Sequence, residues 1–135
     1  MAKVIHSMFR VLDLDKSIDF YGTALDMEVS DKISFSEFTL VYMRNDEADF
    51  EIELTHNHDN QEPYTHGSGY GHIAVSVNDL EESHAKLTAM QYEPKPIKSL
   101  KTHDDCEIRF FFATDPDGYQ VEFIERSGRF TMKKY

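Results

Sequence analysis

Two histidine–glutamate pairs, His6 with Glu53 and His72 with Glu122, are the side chains of this sequence best suited to hold a metal ion. The members of the first pair are 47 positions apart and those of the second are 50 positions apart, so each half of the chain carries one pair. Neutral imidazole and carboxylate groups bind divalent ions such as zinc, nickel, cobalt, iron and manganese. A thiolate-rich site is excluded because the sequence has one cysteine, Cys106. The pattern therefore predicts a divalent-metal site with four protein ligands.

The nearly equal spacings within the two His/Glu pairs are part of an internal repeat of the sequence. When the chain is shifted against itself by 66 positions, five of the twelve residues from 6 to 17 meet an identical residue. The segments 51–55 and 120–124 also correspond if the second half has three extra loop residues. A single histidine or glutamate is more often solvated or satisfied within a core than bound to metal. The same residue types at matching positions of both repeats favour ligation.

Each repeat is predicted to form the unit β-α-β-β-β. In the first, a strand at 4–11 precedes a helix that Asp13 or Asp15 caps and that runs to about Leu25. Alternating apolar and polar residues then predict three strands, at about 27–34, 36–43 and 48–56.

The second repeat is predicted to follow the same order. A strand at 70–77 precedes a helix at 79–90 that Asn78 or Asp79 opens, and strands follow at about 92–99, 106–114 and 119–125. The residues DPDG at 115–118 predict a turn between the last two strands. The sequence predicts a single α+β domain over residues 1–135, made of two tandem βαβββ repeats at about 1–56 and 70–126. Its sheets should be mixed and curved, with flanking helices. The polar segment 57–69 is predicted to link the two repeats.

This arrangement would give the four candidate ligands a shared location. Each histidine lies on the first strand of its repeat and each glutamate on the last, so their side chains converge if those two strands are neighbours. In a strand, side chains alternate between the two faces of the sheet, so Glu53 points to one face and its neighbours Ile52 and Leu54 point to the other. A carboxylate on the concave side of a sheet needs a partner, and a metal ion supplies one.

Composition and charge exclude several classes of function. At 135 residues and 40% hydrophobic content the chain suffices for one globular domain. A formal net charge of −11 opposes binding to nucleic acid or to an anionic membrane. We expect no membrane span and no signal peptide, because no apolar run approaches the required length. The lone cysteine is typical of a reducing compartment, so the expected location is the cytoplasm.

Nearly the whole chain resembles glyoxalase I, or lactoylglutathione lyase, of the vicinal-oxygen-chelate superfamily. The segments that carry the resemblance are SMFRVLDLDKSIDFYGTALDMEV (7–29), EIELTHN (51–57), GYGHIAVSV (69–77) and DPDGYQVEFIE (115–125). The resemblance implies a lyase that isomerises the hemithioacetal of methylglyoxal and glutathione to S-lactoylglutathione through an enediolate stabilised by a divalent cation.

The resemblance also assigns roles to the candidate ligands. His6, Glu53, His72 and Glu122 match the metal ligands of the family, with Glu122 as the base that leaves the metal when substrate binds and Glu53 as its counterpart. The implied assembly is a homodimer in which each site takes one His/Glu pair from each chain. Short members of the family tend to use nickel or cobalt, so nickel is favoured here, with cobalt, zinc and manganese as alternatives.

Substrate recognition follows the family at one end of glutathione and departs from it at the other. Arg10 and Asn57 match positions that hold the γ-glutamyl end. The family holds the glycyl carboxylate with a basic loop containing a glycine pair, but residues 98–109 here are KSLKTHDDCEIR. Asp104, Asp105 and Glu107 would repel that carboxylate, and Lys98, Lys101 or Arg109 would have to replace the missing cation, with Lys101 and Arg109 as the candidates selected.

Three other functions stay open at this point. The chain could act on a different thiol or carbonyl compound, or it could be a resistance-type protein that binds a small molecule without chemistry. Binding-only members commonly lack one or more of the four ligands, whereas this chain has all of them. A ring-cleaving dioxygenase typically uses two histidines and one glutamate, so the second glutamate argues against that reaction.

Overall fold

The computed structural model describes residues 1–103 and 105–131. The chain divides into two compact units, Met1–Thr65 (unit 1) and His66–Tyr135 (unit 2). Asp104, whose negative charge is part of the prediction for the 98–109 segment, lies outside the described residues.

Unit 1 has the predicted β-α-β-β-β order. Its elements are β1 (His6–Arg10), α1 (Leu14–Ala24), β2 (Glu28–Ser34), β3 (Phe38–Arg44) and β4 (Glu51–Asn57). The strands form one sheet in the order β1-β4-β3-β2, in which β1 and β4 are parallel and the other neighbours are antiparallel. The first and last strands of the unit are therefore neighbours, as convergence of the His/Glu pair requires.

Unit 2 repeats this topology. Its elements are β5 (Ile73–Val77), α2 (Leu80–Ala89), β6 (Lys98–Lys101), β7 (Glu107–Thr114) and β8 (Gln120–Glu125), followed by a short 3₁₀ turn at Gly128–Phe130. The sheet order is β5-β8-β7-β6, with β5 parallel to β8. The prediction of an α+β fold built from two tandem βαβββ units with mixed sheets is confirmed.

An aspartate caps the start of each helix. The Asp13 carboxylate accepts a hydrogen bond from the Lys16 backbone N–H at 3.1 Å, and the Asp79 carboxylate accepts one from the Glu82 backbone N–H at 2.9 Å. Each cap satisfies a backbone donor that has no partner within the first helical turn. The caps are thus Asp13 and Asp79, the same position in both repeats.

The helix of each unit covers one face of its sheet, and the apolar residues of the strands alternate to meet it. In unit 1 Phe20 and Tyr21 of α1 are fully buried, as are Ile52 and Leu54 of β4 and Val41 of β3. We call the covered side of each sheet the helix face. The opposite side carries the His/Glu pair, and we call it the site face.

The second strand of unit 2 lies later in the chain than predicted. The sequence pattern predicts it at about 92–99, whereas β6 spans Lys98–Lys101. Gln91 and Glu93 have left-handed backbone angles, φ 65° and 47°, so the chain turns there. Pro94 and Pro96 lack backbone N–H groups and cannot donate to a strand ladder. Between them the Lys95 N–H donates one hydrogen bond to the Phe112 carbonyl, and the regular ladder with β7 begins at Lys98.

The turn predicted at 115–118 is confirmed and holds β7 and β8 in register. One oxygen of the buried Asp115 carboxylate accepts hydrogen bonds from the backbone N–H groups of Asp117 and Tyr119, both at 2.9 Å. Gly118 has φ 91°, a conformation that an L side chain rarely adopts. Among the described residues, no helix has the length and apolar character needed to cross a membrane.

Candidate metal centre

The register of β1 and β4 brings His6 and Glu53 together in unit 1. Met8 pairs with Glu53 across the parallel strands, so His6 lies two residues away from that pair on the same face. His6 Nε2 is 3.2 Å from a carboxylate oxygen of Glu53. Two residues far apart in sequence thus present an imidazole nitrogen and a carboxylate oxygen to the same point.

The second pair has the equivalent arrangement in unit 2. Ala74 of β5 pairs with Glu122 of β8, and His72 precedes Ala74 by two residues. His72 Nε2 is 2.8 Å from a carboxylate oxygen of Glu122. The repeat seen in the sequence is therefore also a repeat of side-chain geometry.

The carboxylates are better shielded from water than the histidines. The side chains of Glu53 and Glu122 are 13% and 18% exposed, whereas those of His6 and His72 are 36% and 39% exposed. Removing an ionised carboxylate from water is costly unless hydrogen bonds, an opposite charge or a metal replaces the lost hydration. Each unit thus keeps a shielded acid beside an imidazole that solvent or a ligand can reach.

An aromatic ring lies beside each pair. Tyr42 of β3 is directly opposite Glu53, and its ring centroid is 6.0 Å from that of His6. Burial raises the pKa of the Tyr42 hydroxyl, and its hydrogen bond to Glu53 raises it further. Sequence analysis did not select Tyr42, because only the register of β3 with β4 shows that it contacts a candidate ligand.

The donors of each pair are spaced as two ligands of one metal ion would be. Two ligands at about 2.1 Å from an ion, in adjacent octahedral positions, lie roughly 3 Å apart, close to the 3.2 and 2.8 Å separations here. Among residues 1–103 and 105–131, no three histidine, cysteine or acidic side chains gather in one cluster. The spacing of the two donors in each unit thus fits that of two ligands of one divalent ion.

The site face of unit 1 has a second acidic residue and a shallow depression. The Ser30 hydroxyl donates a hydrogen bond to Glu51, which precedes Glu53 by two residues. An open depression of about 460 Å³ is lined by Ser30, Asp31, Ile33, Tyr42, Arg44 and Glu51. It adjoins the His6–Glu53 pair through Tyr42 and does not include either member of the pair.

Both residues predicted to hold the γ-glutamyl end lie on the site face of unit 1. Arg10 is at the end of β1 opposite Thr55, and Asn57 follows Thr55 by two residues on β4. The Asn57 amide donates a hydrogen bond to the Tyr64 hydroxyl at 3.1 Å. Thr55 Oγ1 is buried without a hydrogen-bond partner among the described residues, which sequence analysis did not anticipate.

The two cations predicted for the other end of the substrate lie on the helix face of unit 2. Phe112 is opposite Glu122, so the odd-numbered neighbours Arg109 and Phe111 point to the other side of the sheet. The Arg109 guanidinium forms ion pairs with Glu81 of α2 and, at 2.8 Å, with Glu125 of β8. Lys101 of β6 is opposite Glu107 of β7 in the strand register, on that same face.

Lys98, in contrast, is on the site face. It pairs with Phe110, which in turn pairs with Ile124 on the Glu122 side of β8. Of the three cations considered for the 98–109 segment, Lys98 is the one on the same face as a candidate metal ligand.

Comparisons with known proteins agree with the fold. The family model described as "Glyoxalase/Bleomycin resistance protein/Dioxygenase superfamily" matches residues 3–123. A lactoylglutathione lyase of Neisseria meningitidis is 39% identical over 132 residues, which cover 92% of this chain and 91% of the relative. One of Haemophilus influenzae is 37% identical, with 91% and 92% covered. The structure of glyoxalase I from Leishmania major, described as trypanothione-dependent, matches with a TM-score of 0.74 and 32% identity, over 93% of this chain and 87% of that one.

We predict that Arg109→Met lowers the free energy of unfolding at neutral pH and that acid removes the difference. The hydrogen bond from Arg109 holds the pKa of Glu81 below its usual value. A carboxyl whose pKa is lower in the folded state stabilises the fold above its unfolded pKa, about 4.3, and loses this contribution as the pH falls through the folded pKa.

Urea denaturation of wild type and Arg109→Met at pH 7 and pH 3 measures this effect. Lys3→Met provides a comparison in unit 1, because the hydrogen bond from Lys3 holds the pKa of Asp49 below its usual value and its removal should show the same dependence on pH. Because the Glu81 and Arg109 side chains are substantially exposed, the effect should be small and should decrease with added salt. An equal loss of stability at both pH values would contradict the ion-pair explanation.

Proposed function

The chain belongs to the Glyoxalase/Bleomycin resistance protein/Dioxygenase superfamily, and on this basis we propose that it is a glyoxalase I that isomerises the hemithioacetal of methylglyoxal and glutathione to S-lactoylglutathione. The relatives named lactoylglutathione lyase confirm the predicted resemblance and the prediction of an enzyme similar to that lyase. The observation that best supports the reaction is the presence of one His/Glu pair on the site face of each unit.

Membership of the family implies a divalent metal cofactor. We propose that His6, Glu53, His72 and Glu122 hold it. When bound, the ion would act as a Lewis acid that stabilises negative charge on the substrate oxygens, an effect worth several kcal/mol. The donor set is compatible with nickel, cobalt, zinc and manganese, of which nickel is our choice.

Glu122 is proposed as the base that moves the proton. It would take the proton from the hemithioacetal carbon, leaving an enediolate, and return it to the adjacent carbon, so that the product is an isomer of the substrate. A positioned general base typically contributes about a hundredfold to ten-thousandfold in rate. Glu53 is the second carboxylate that could carry a proton.

We further propose that the active enzyme is a homodimer in which each metal site combines the His6–Glu53 pair of one chain with the His72–Glu122 pair of its partner. Two donors per unit are too few for a stable four-ligand centre, which supports this proposal. Apolar side chains near His6 also support it, because Val4, Ile5 and Met8 are 76%, 55% and 39% exposed. Exposed apolar surface of this kind is favourable to cover with a second chain.

The γ-glutamyl end of the substrate is assigned to Arg10 and Asn57. Arg10 can hold a carboxylate through two parallel hydrogen bonds, and the buried Thr55 hydroxyl beside it offers a further polar contact. For the glycyl end of the substrate, Lys101 and Arg109 remain the predicted binding residues. The site-face position of Lys98 supports it as the nearest alternative cation.

The cytoplasm is the proposed location. Cys106 is a free, exposed cysteine, and with no second cysteine in the sequence the chain forms no internal disulfide. A free exposed thiol is stable in a reducing compartment.

A second candidate substrate is the hemithioacetal of a thiol whose glycyl end carries no negative charge. Asp105 is exposed where the family has a basic loop, and its negative charge would repel a glycyl carboxylate. The Leishmania major relative described as trypanothione-dependent supports the idea that the fold accepts thiols other than glutathione.

The proposed reaction predicts metal-dependent formation of a thioester. Apo-protein loaded separately with nickel, cobalt, zinc and manganese should isomerise the methylglyoxal–glutathione hemithioacetal, and the nickel form should be the most active. The reaction is measured by the absorbance of the thioester product. Wild type treated with a chelator is the control. No turnover with any of the four metals would reject the glutathione-dependent lyase.

A shared site predicts that two inactive variants restore each other. His6→Ala and His72→Ala should each be inactive, because each damages both sites of its homodimer. When the two are unfolded, mixed and refolded, about half of the dimers are heterodimers that contain one intact site, so roughly a quarter of the wild-type activity should return. His6→Ala mixed with itself is the control, and absence of recovery would contradict a site shared between chains.

The charge at residues 98–109 predicts the preferred thiol. Acidic side chains in residues 98–109 should disfavour a carboxylate on the substrate. Glutathione whose glycyl end is amidated should therefore give a hemithioacetal with a higher kcat/KM than unmodified glutathione. Lys98→Met should then raise KM for glutathione and leave KM for the amide nearly unchanged. A kcat/KM lower for the amide than for glutathione would favour glutathione as the substrate.

A further inference from the structure

The chain that leaves β4 folds back towards the end of that strand. The Asn60 backbone N–H donates a hydrogen bond to the Asn57 carbonyl at 3.2 Å, and the Asn60 amide donates one to the Glu62 carbonyl at 2.8 Å. These bonds shape a compact segment within unit 1. We call residues 57–64 the return loop.

A bond between two side chains joins the ends of the return loop. The Asn57 amide nitrogen donates a hydrogen bond to the Tyr64 hydroxyl oxygen at 3.1 Å. Asn57 is on the site face of unit 1, so this bond brings the Tyr64 hydroxyl to the end of β4 on that face. Both residues are partly exposed, so a ligand can reach them.

This bond determines which atoms the two side chains offer to a ligand. The Asn57 amide turns its nitrogen to Tyr64, so its carbonyl oxygen is the atom that it offers, as an acceptor. The Tyr64 hydroxyl accepts the bond through an oxygen lone pair, and its own proton remains to be donated. The end of β4 therefore presents one acceptor and one donor side by side.

An acceptor beside a donor suits the zwitterionic head of an amino acid. The Asn57 oxygen can accept a hydrogen bond from an α-ammonium group, and the Tyr64 hydroxyl can donate one to the α-carboxylate on the same carbon. Arg10 is opposite Thr55, two residues before Asn57, and adds a positive charge for the carboxylate. A zwitterion has no net charge, so a chain with a formal net charge of −11 repels it less than it repels an anion.

Resting on the proposed function, we propose that Tyr64 is a specificity-determining residue that selects thiols with an intact γ-glutamyl zwitterion. It acts in two ways. It holds the Asn57 amide with its oxygen towards the substrate ammonium group, and its hydroxyl donates a hydrogen bond to the substrate carboxylate. The sequence assigned residues 57–69 to a linker, whereas the structure places part of that segment beside a predicted substrate-binding residue.

Three thiols and one conservative variant test this role. Wild type and Tyr64→Phe are assayed with the methylglyoxal hemithioacetals of glutathione, of an analogue without the α-amino group and of an analogue without the α-carboxylate. Wild type should prefer glutathione to both analogues. In Tyr64→Phe, kcat/KM for glutathione should fall about tenfold, mainly through KM, the effect of one charge-assisted hydrogen bond. The loss should be much smaller with the analogue without the carboxylate, because that analogue has no group for the phenol to bind.

Binding without chemistry gives an independent measurement. S-Methylglutathione cannot react, because a methyl group on its sulfur takes the place of the hemithioacetal. Its affinity, measured by titration calorimetry, should fall about tenfold in Tyr64→Phe. The matched control is Asn60→Ala, which removes the side-chain bond to Glu62 in the same loop and does not touch the Asn57–Tyr64 contact. Thermal denaturation shows whether each variant folds, and Asn60→Ala should change kcat/KM by the same factor for all three thiols.

The inference and the proposed reaction fail in different ways. An equal loss for all three thiols in Tyr64→Phe would overturn the role of the hydroxyl in specificity, and so would a loss in Asn60→Ala with the thiol dependence expected of Tyr64→Phe. Absence of S-methylglutathione binding to wild type would overturn it as well. If wild type binds S-methylglutathione and does not turn over the hemithioacetal, the proposed reaction fails, and the affinity of Tyr64→Phe decides the inference.

Discussion

Parallel pairing of the first and last strands in each unit is the constraint on which the site depends. Without it, His6 and Glu53 would be separated by the length of the intervening chain, because nothing in the local sequence brings them together. A parallel pair requires a long crossover connection, and the helix and the two inner strands of each unit supply it. The same pairing in unit 2 places His72 beside Glu122, so a single topological rule creates both pairs.

The placement of the acids makes this position favourable for a cation. The chain carries a formal net charge of −11, and the site face of unit 1 adds Glu51 next to Glu53. Partly shielded carboxylates in such a protein lose hydration and repel one another. A divalent ion would offset both costs, at a position where the imidazoles are partly exposed. The acidic composition that excludes nucleic acid as a partner is therefore compatible with a metal site.

Features with a strictly local cause could be predicted from the sequence. The repeat fixed the order of the elements, and aspartates at the same position of both repeats indicated the helix starts. The second strand of unit 2 was predicted too early, because alternation cannot show where Pro94 and Pro96 interrupt regular strand pairing. The partners of Arg109 could not be predicted, since they depend on which face of β7 it occupies and on its distance from α2. Tyr42 was missed for the same reason, because its importance comes from the register with β4.

The two repeats differ most where they would have to perform different tasks. On the helix faces, equivalent positions stay apolar, as with Leu54 and Phe123, because both must pack against a helix. On the site faces, residues at equivalent positions of the two units differ in chemical type. The unit 1 residue and its unit 2 counterpart are Tyr42 and Phe112, Glu51 and Gln120, Arg10 and Ser76, and Asn57 and Arg126. Arg126 donates a hydrogen bond to the Ser76 hydroxyl at 3.2 Å. Unit 2 therefore carries its arginine directly after the last strand, whereas unit 1 carries it on the first strand. An asymmetric substrate needs different groups at its two ends. A duplicated unit meets this need by keeping the ligand pair in each copy while the residues around it diverge.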